Sequence, residues 1–248
     1  MPKIRLCFCA LILTFLITHS QARADHYGLV VMYSDLEPYI ISKDKEISGF
    51  LVPYMNRVAT AANIEIHWRN VPWENQLPAL KRNQPNVCAI GLFKTPERET
   101  YSKFTHPIGT DKGFVLVSAK GNTALTTHQY FKSVLADRTL KPILQEDTVY
   151  NPYVNKLLSG KNFPRTQGSV SRMLRMLAQN SADYIILTPV MAKALLAKSG
   201  LSSQITIYNH FKDLKETSAY YMACSLSTDT QLWGRLNKAI ALAGPLAK

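Results

Sequence analysis

Apolar and polar positions along this chain fall into blocks of changing period. Gly28 to Tyr33 (GLVVMY) is a continuous apolar run, as in a strand buried on both faces. Asp35 to Ser48 is polar and broken by Pro38, so it reads as a loop. From Phe50 the period lengthens. Phe50, Leu51, Tyr54, Met55, Val58, Ala59 and Ala62 share one face of a helix. Ile64 to Trp68 alternates as a strand, Trp73 to Arg82 carries a short helical pattern with Leu77 and Leu80 inward, and Val87 to Leu92 is a third strand. A β-α-β-α-β unit follows, with parallel strands and right-handed crossovers. Ligands of such sheets bind beyond the carboxyl ends of the strands, which here lead into Tyr33–Tyr39, Asn70–Trp73 and Phe93–Arg98.

The second half repeats the theme. Phe114 to Ser118 and Pro142 to Gln145 read as strands, and Thr123 to Leu135 is polar and partly helical. Asn151 to Leu158 reads as a helix. Val170, Met173, Leu174 and Leu177 make a helical stripe, and Asp183 to Leu187 is a buried strand. Pro189 sits in the first turn of the next helix, where its missing N–H is tolerated. Ile205 to Tyr208 and Ala219 to Ser225 are further strands. Leu232, Leu236, Ala239, Ile240 and Ala243 mark a last helix.

The N-terminus changes the picture. Lys3 and Arg5, the apolar stretch Leu6 to Ile17 and the A-x-A site Ala22-Arg23-Ala24 have the layout of a secretory signal, with Asp25 as the first mature residue. The stretch is short for a membrane span of ~30 Å. Losing Lys3, Arg5 and Arg23 takes the formal charge from +12 to +9. The remaining basic residues are scattered, which argues against nucleic acid as a partner. Cys88 and Cys224 survive processing. Export permits a disulfide between them, and two buried free thiols are the alternative. No zinc spacing, nucleophile motif, phosphate loop or dinucleotide fingerprint occurs, and the six histidines are scattered. The reading therefore includes no metal, cofactor or catalytic residue.

Five short motifs, in order, carry a resemblance. They are Glu37-Pro38-Tyr39 (like P-P-Y/F), Gly49-Phe50 (like G-F-x-x-D), and Trp73 with Leu77-Pro78-Ala79-Leu80 (like W-x-x-x-I/L-P-x-L). Thr95-Pro96-Glu97-Arg98 follows (like T-x-x-R), with Phe104 and Pro107 after it, and then Ala182-Asp183-Tyr184 (like V/A-D-A). Together they resemble the family 3 extracellular solute-binding proteins, whose best-known members deliver polar amino acids to ABC transporters. The resemblance implies a two-lobed α/β fold of the type 2 periplasmic-binding-protein kind. Each lobe would be a mostly parallel sheet flanked by helices, with a two-strand hinge between them. Residues 1–24 would be the signal, 25–112 the first part of lobe 1, 113–208 lobe 2 and 209–248 the return to lobe 1. It also places Cys88 and Cys224 on neighbouring strands. A periplasmic monomer is expected, with a small carboxylate as ligand and an ABC transporter permease or a membrane sensor as partner.

In the family the T-x-x-R arginine grips the ligand carboxylate, so Arg98 is the first candidate. A guanidinium pairs bidentately with a carboxylate; the alternative is a surface salt bridge to Glu97 or Glu99. Trp73 stands at the family's aromatic platform, Tyr33 and Tyr39, at the exit of the first strand, are expected on the same cleft wall with plain packing as the alternative, and Thr148 stands where a threonine faces the ligand. Three positions depart from the pattern. Phe93 replaces a small hydroxyl residue, Pro53 replaces the acid of G-F-x-x-D, and Thr188 replaces the aspartate that meets an α-ammonium group. A buried ammonium without that partner is costly. The expected ligand is therefore amino-acid-like but not a standard α-amino acid. Two other readings stand beside it. One is a dehydratase resembling cyclohexadienyl dehydratase, with Glu37, Glu74 or Glu146 as general acid. The other is a degenerate module that binds no small molecule.

Overall fold

The computed structural model describes residues 27–44, 46–146, 148–167 and 169–247. The expected signal and its cleavage point at Asp25 lie outside the described residues. The chain opens with β1 (Tyr27–Tyr33), a hairpin of β2 (Ile41–Lys43) and β3 (Glu46–Ser48), α1 (Leu51–Ala62), β4 (Ile64–Asn70), α2 (Trp73–Lys81) and β5 (Val87–Leu92). Next come α3 (Pro96–Glu99), β6 (Ser102–Phe104), β7 (Gly109–Asp111), β8 (Val115–Ala119), α4 (Thr123–Thr126) and α5 (Phe131–Val134). They lead to β9 (Leu144–Gln145), α6 (Pro152–Leu158), β10 (Arg165–Thr166), α7 (Val170–Ala178), β11 (Ile185–Leu187), α8 (Pro189–Ser199) and β12 (Ile205–Tyr208). A 3-10 turn at Lys212–Leu214, β13 (Ser218–Ser225), α9 (Thr230–Ala243) and β14 (Leu246–Ala247) complete the described chain.

Two lobes result. The first is built on a seven-stranded sheet in the order β14-β7-β13-β5-β1-β4, with β6 also paired to β13. β1 runs parallel to β4 and β5, as the β-α-β-α-β pattern predicts, and β13 returns antiparallel to β5. Alternation along β1 divides the core. Leu29, Val31 and Tyr33 pack with Met55 and Val58 of α1 and Leu236 and Ile240 of α9. Met32 faces the other way, onto Leu80, Ala89 and Leu92. The second lobe is a mixed sheet. β11 and β12 flank β8 antiparallel, β9 and β10 pair in parallel, and Pro142 bridges Tyr184 in parallel. The alternation holds here too. Leu116 and Ile186 face a core with Phe131 and Tyr184, while Val117 and Ile185 face Met173, Leu174 and Leu177 of α7.

Two connections join the lobes, β7 to β8 and β12 to β13. They touch at Gly113, whose φ is +70°, and Phe114 N–H donates to the Leu214 carbonyl at 2.8 Å. A Cβ on Gly113 would lie 2.0 Å from that carbonyl oxygen, so only glycine fits without a shift. Within the first lobe, Cys88 of β5 and Cys224 of β13 are cross-strand partners, 3.9 Å apart at Cα, and form a disulfide. Of the two possibilities left by the sequence, the paired one is present.

The sequence pattern misses the short strands. The stretch read as a loop between Asp35 and Ser48 contains the β2–β3 hairpin. β6, β7, β10 and β14, two or three residues each, carry too few positions to show a period.

Candidate functional site

A cavity of about 340 Å³ lies between the lobes, beyond the carboxyl ends of β1, β5 and β11. Of the residues singled out in the sequence, Trp73, Tyr39, Phe93, Arg98, Thr148 and Thr188 line it. Tyr33 does not. It shares the inward face of β1 with Leu29 and Val31, and its ring meets Trp68 edge-on at 6.1 Å. Strand parity turns it into the core, a correction to the expectation that it lines the cleft.

Arg98 is placed by its own loop. Thr95 Oγ1 accepts from Arg98 N–H at 3.2 Å and caps the four-residue α3, with Pro96 at its first position. The guanidinium Nη1 donates to the Phe93 carbonyl at 2.9 Å. Arg98 is only 2% exposed. The neighbouring acids are used elsewhere, since Glu99 pairs with Lys94 at 2.7 Å and Glu97 faces Lys81 at 3.9 Å. A guanidinium is thus buried in the cavity wall, with the Phe93 carbonyl among its partners.

Phe93 does more than make the cleft apolar. Its ring lies 6.0 Å from Phe114, which lies 5.5 Å from Tyr150, so aromatic rings run from the first lobe into the second. Trp73 begins α2, and its buried Nε1–H has no hydrogen-bond partner among the described residues. Thr148 donates from its hydroxyl to Gln145 Oε1 at 3.3 Å.

A hydrogen-bonded chain crosses the cleft at Thr188. Tyr39 O–H donates to Asp111 Oδ1 at 2.5 Å, and Tyr39 Oη is 2.9 Å from Thr188 Oγ1. A carboxylate only accepts, so the tyrosine proton is committed to Asp111 and the Thr188 hydroxyl donates to Tyr39. Thr188 Oγ1 also accepts from Met191 N–H and caps α8. Thr188 is therefore a helix cap and a lobe-to-lobe contact. Burial, then the charge and hydrogen bond of Asp111, pushes the Tyr39 hydroxyl far above its ordinary range. Burial likewise raises the Asp111 carboxyl to about 6, with the Tyr39 bond pulling the other way. Glu37 forms a second link between the lobes through an ion pair with Lys198 of α8. Glu74 also lines the cavity, while Glu146 is exposed and outside the lining.

Asp111, Phe114, Tyr150 and Tyr220 line the cavity and escaped the sequence reading. Gly109-Thr110-Asp111-Lys112-Gly113 has the composition of a turn, and pairing with β13 and β14 makes β7 a strand. Asp111 stood just ahead of the lobe crossing, which was the one available signal.

Residues 29–242 match the sequence profile of the bacterial extracellular solute-binding proteins, family 3. The chain belongs to this family. Its designation places this family 3 protein outside the cytoplasm, among non-catalytic binding proteins. Among the described residues no helix is long and apolar enough to cross a membrane. A protein of Campylobacter jejuni described as a "probable histidine-binding protein" is 25% identical over 163 residues, 66% of this chain and 60% of that one. One of Neisseria gonorrhoeae with the same description is 31% identical over 61 residues, 25% of this chain and 23% of that one. The matches thus span less than two thirds of these relatives. The fold is shared with a histidine kinase sensor domain similar to periplasmic binding proteins, at TM-score 0.70, 18% identity and coverage of 89% and 91%. It is also shared with the arginine-, lysine-, histidine-binding protein ArtJ of Geobacillus stearothermophilus, at TM-score 0.70, 18% identity and coverage of 87% and 88%.

Proposed function

We propose that this family 3 protein captures a small carboxylate-bearing solute between its lobes and presents it to a membrane partner. The observation that carries the reading is Arg98, buried in the cavity wall and held by the Phe93 carbonyl. A guanidinium in such a wall is suited to a carboxylate, because paired ion and hydrogen bonds offset the desolvation of both groups. The cavity volume suits a small solute. The partner is an ABC transporter permease or a membrane sensor, and the likenesses to transporter components and to a kinase sensor domain support that pair. The protein acts as a periplasmic monomer after loss of residues 1–24. Its lobes divide as 25–112 with 209–248, and 113–208.

The ligand is amino-acid-like but is not held as a standard α-amino acid. Position 188 offers no acid, and the Thr188 hydroxyl is committed to Tyr39 and Met191. A thermal-shift screen of small carboxylates tests the reading. A ligand at 100 times its Kd stabilises by about 2.7 kcal/mol. The expected result is such a shift with at least one carboxylate, and a carboxylate-rich screen with no shift contradicts capture. Tight calorimetric binding of an ordinary polar amino acid contradicts the ligand class.

A further inference from the structure

We propose that Asp111 is the seat of a cationic nitrogen on the ligand, so that the solute carries a positive nitrogen as well as the carboxylate met by Arg98. The inference rests on the carboxylate reading and deepens it. Asp111 lines the cavity and is 2% exposed. Its Oδ1 accepts from Tyr39, and among the described residues no lysine, arginine or histidine forms an ion pair with it. A carboxylate has two oxygens and about four acceptor sites, so one neutral donor leaves most of its capacity unused. A buried carboxylate without a counter-charge is costly, and a cation brought into the same cavity offsets that cost.

Three further observations agree. The chain carries a formal charge of +12, yet among the described residues the cavity is lined by Asp35, Glu37, Glu74 and Asp111 against Arg98 alone of the lysines and arginines. Asp35 and Glu74 are exposed and Asp111 is buried, so acids mark both the outer and the inner part of the lining. The rings of Tyr39 and Tyr220 meet at 5.4 Å, and Tyr39 is bonded to Asp111, so aromatic surface stands beside the carboxylate. Aromatic faces attract cations. The Tyr220 hydroxyl, close enough to feel the Asp111 charge, is buried without a hydrogen-bond partner among the described residues. The acid absent at position 188 thus has a counterpart on β7, reached through the Tyr39 bridge.

The test is calorimetry at pH 7.5 on the intact mature protein with matched probes: L-lysine, 6-aminohexanoate, hexanoate and cadaverine; L-arginine, 5-guanidinopentanoate, pentanoate and agmatine; and glycine betaine with acetate. Wild type, Asp111→Asn and Arg98→Met are compared. Asparagine keeps an acceptor for Tyr39, so a purely structural role leaves binding intact. The expected result is that the tightest probe carries both a carboxylate and a cationic nitrogen. Asp111→Asn weakens it at least 50-fold, and the ligand-free variant melts no lower than wild type. A tightest probe without a cationic nitrogen, binding within threefold of wild type in Asp111→Asn, or no binding by any probe overturns the proposal. The carboxylate reading fails separately, if cadaverine or agmatine binds tightest or if Arg98→Met binds as well as wild type.

Discussion

Burial lifts the Asp111 carboxyl from an ordinary 3.8 to about 6, and the sign of the consequence is fixed. Between those values the folded chain holds a proton that the unfolded chain releases. The contribution of Asp111 to stability is therefore highest below about pH 4, falls as pH rises through about 6, and is level above it. The total loss is about 3 kcal/mol for this group in the ligand-free protein. Urea melts from pH 4 to 7.5 should show Asp111→Asn lacking this fall and being more stable than wild type at pH 7.5. A variant less stable than wild type at that pH contradicts the burial argument. Tyr39→Phe removes the donor that offsets the cost. It should destabilise by about 1–3 kcal/mol at pH 7.5 and by less at pH 5, where Asp111 is mostly neutral. At this scale the sequence was legible where a motif fixed the backbone, as in Thr95-Pro96-Glu97-Arg98, whose cap and proline build the turn that carries the guanidinium. It was silent at Asp111, because a three-residue strand exists only through its partner. Tyr33 was misplaced because which face of β1 meets the cleft depends on packing, not on nearness to the strand end.

Among elements, α8 and the β7–β8 connection hold the lobes together. Thr188 caps α8 and reaches across to Tyr39. Thr188→Ala should cost about 1–2 kcal/mol, read in a thermal melt, since both the cap and the bridge are lost. Gly113→Ala must accommodate a positive φ and a Cβ against the Leu214 carbonyl. It should destabilise by about 1–3 kcal/mol or more, and an unchanged melting temperature contradicts the crossing geometry. Helices with an apolar stripe, such as α1 and α7, could be read in advance because seven buried positions of α1, and Val170, Met173, Leu174 and Leu177 of α7, repeat one period. The β2–β3 hairpin could not, because Ile41-Ser42-Lys43 and Glu46-Ile47-Ser48 are polar and too short to alternate.

The whole molecule is two lobes tied at one side and in contact at the other. The Cys88–Cys224 disulfide closes a loop of 136 residues that contains the entire second lobe. Constraining a loop of that length in the unfolded chain is worth about 3–5 kcal/mol. Cys88→Ala with Cys224→Ala should lower urea stability by that order, and the denatured, non-reduced mature wild type, without Cys7 and Cys9, should titrate no free thiol. Across the cleft, the Tyr39–Thr188 bridge and the Phe93–Phe114 contact join the lobes. The Glu37–Lys198 pair adds little, because the lysine side chain is 62% exposed, and Lys198→Ala should change stability by less than about 1 kcal/mol. The two-lobed plan was legible from the strand and helix order with its five motifs. The contents of the cleft were not, since they depend on which side chains meet once the lobes are in place. The central claim is that Arg98 receives a carboxylate in that cleft. Isothermal titration of wild type and Arg98→Met with the carboxylate giving the largest thermal shift tests it most directly. A loss of at least 100-fold in affinity is predicted, and equal affinity in the two proteins contradicts the account.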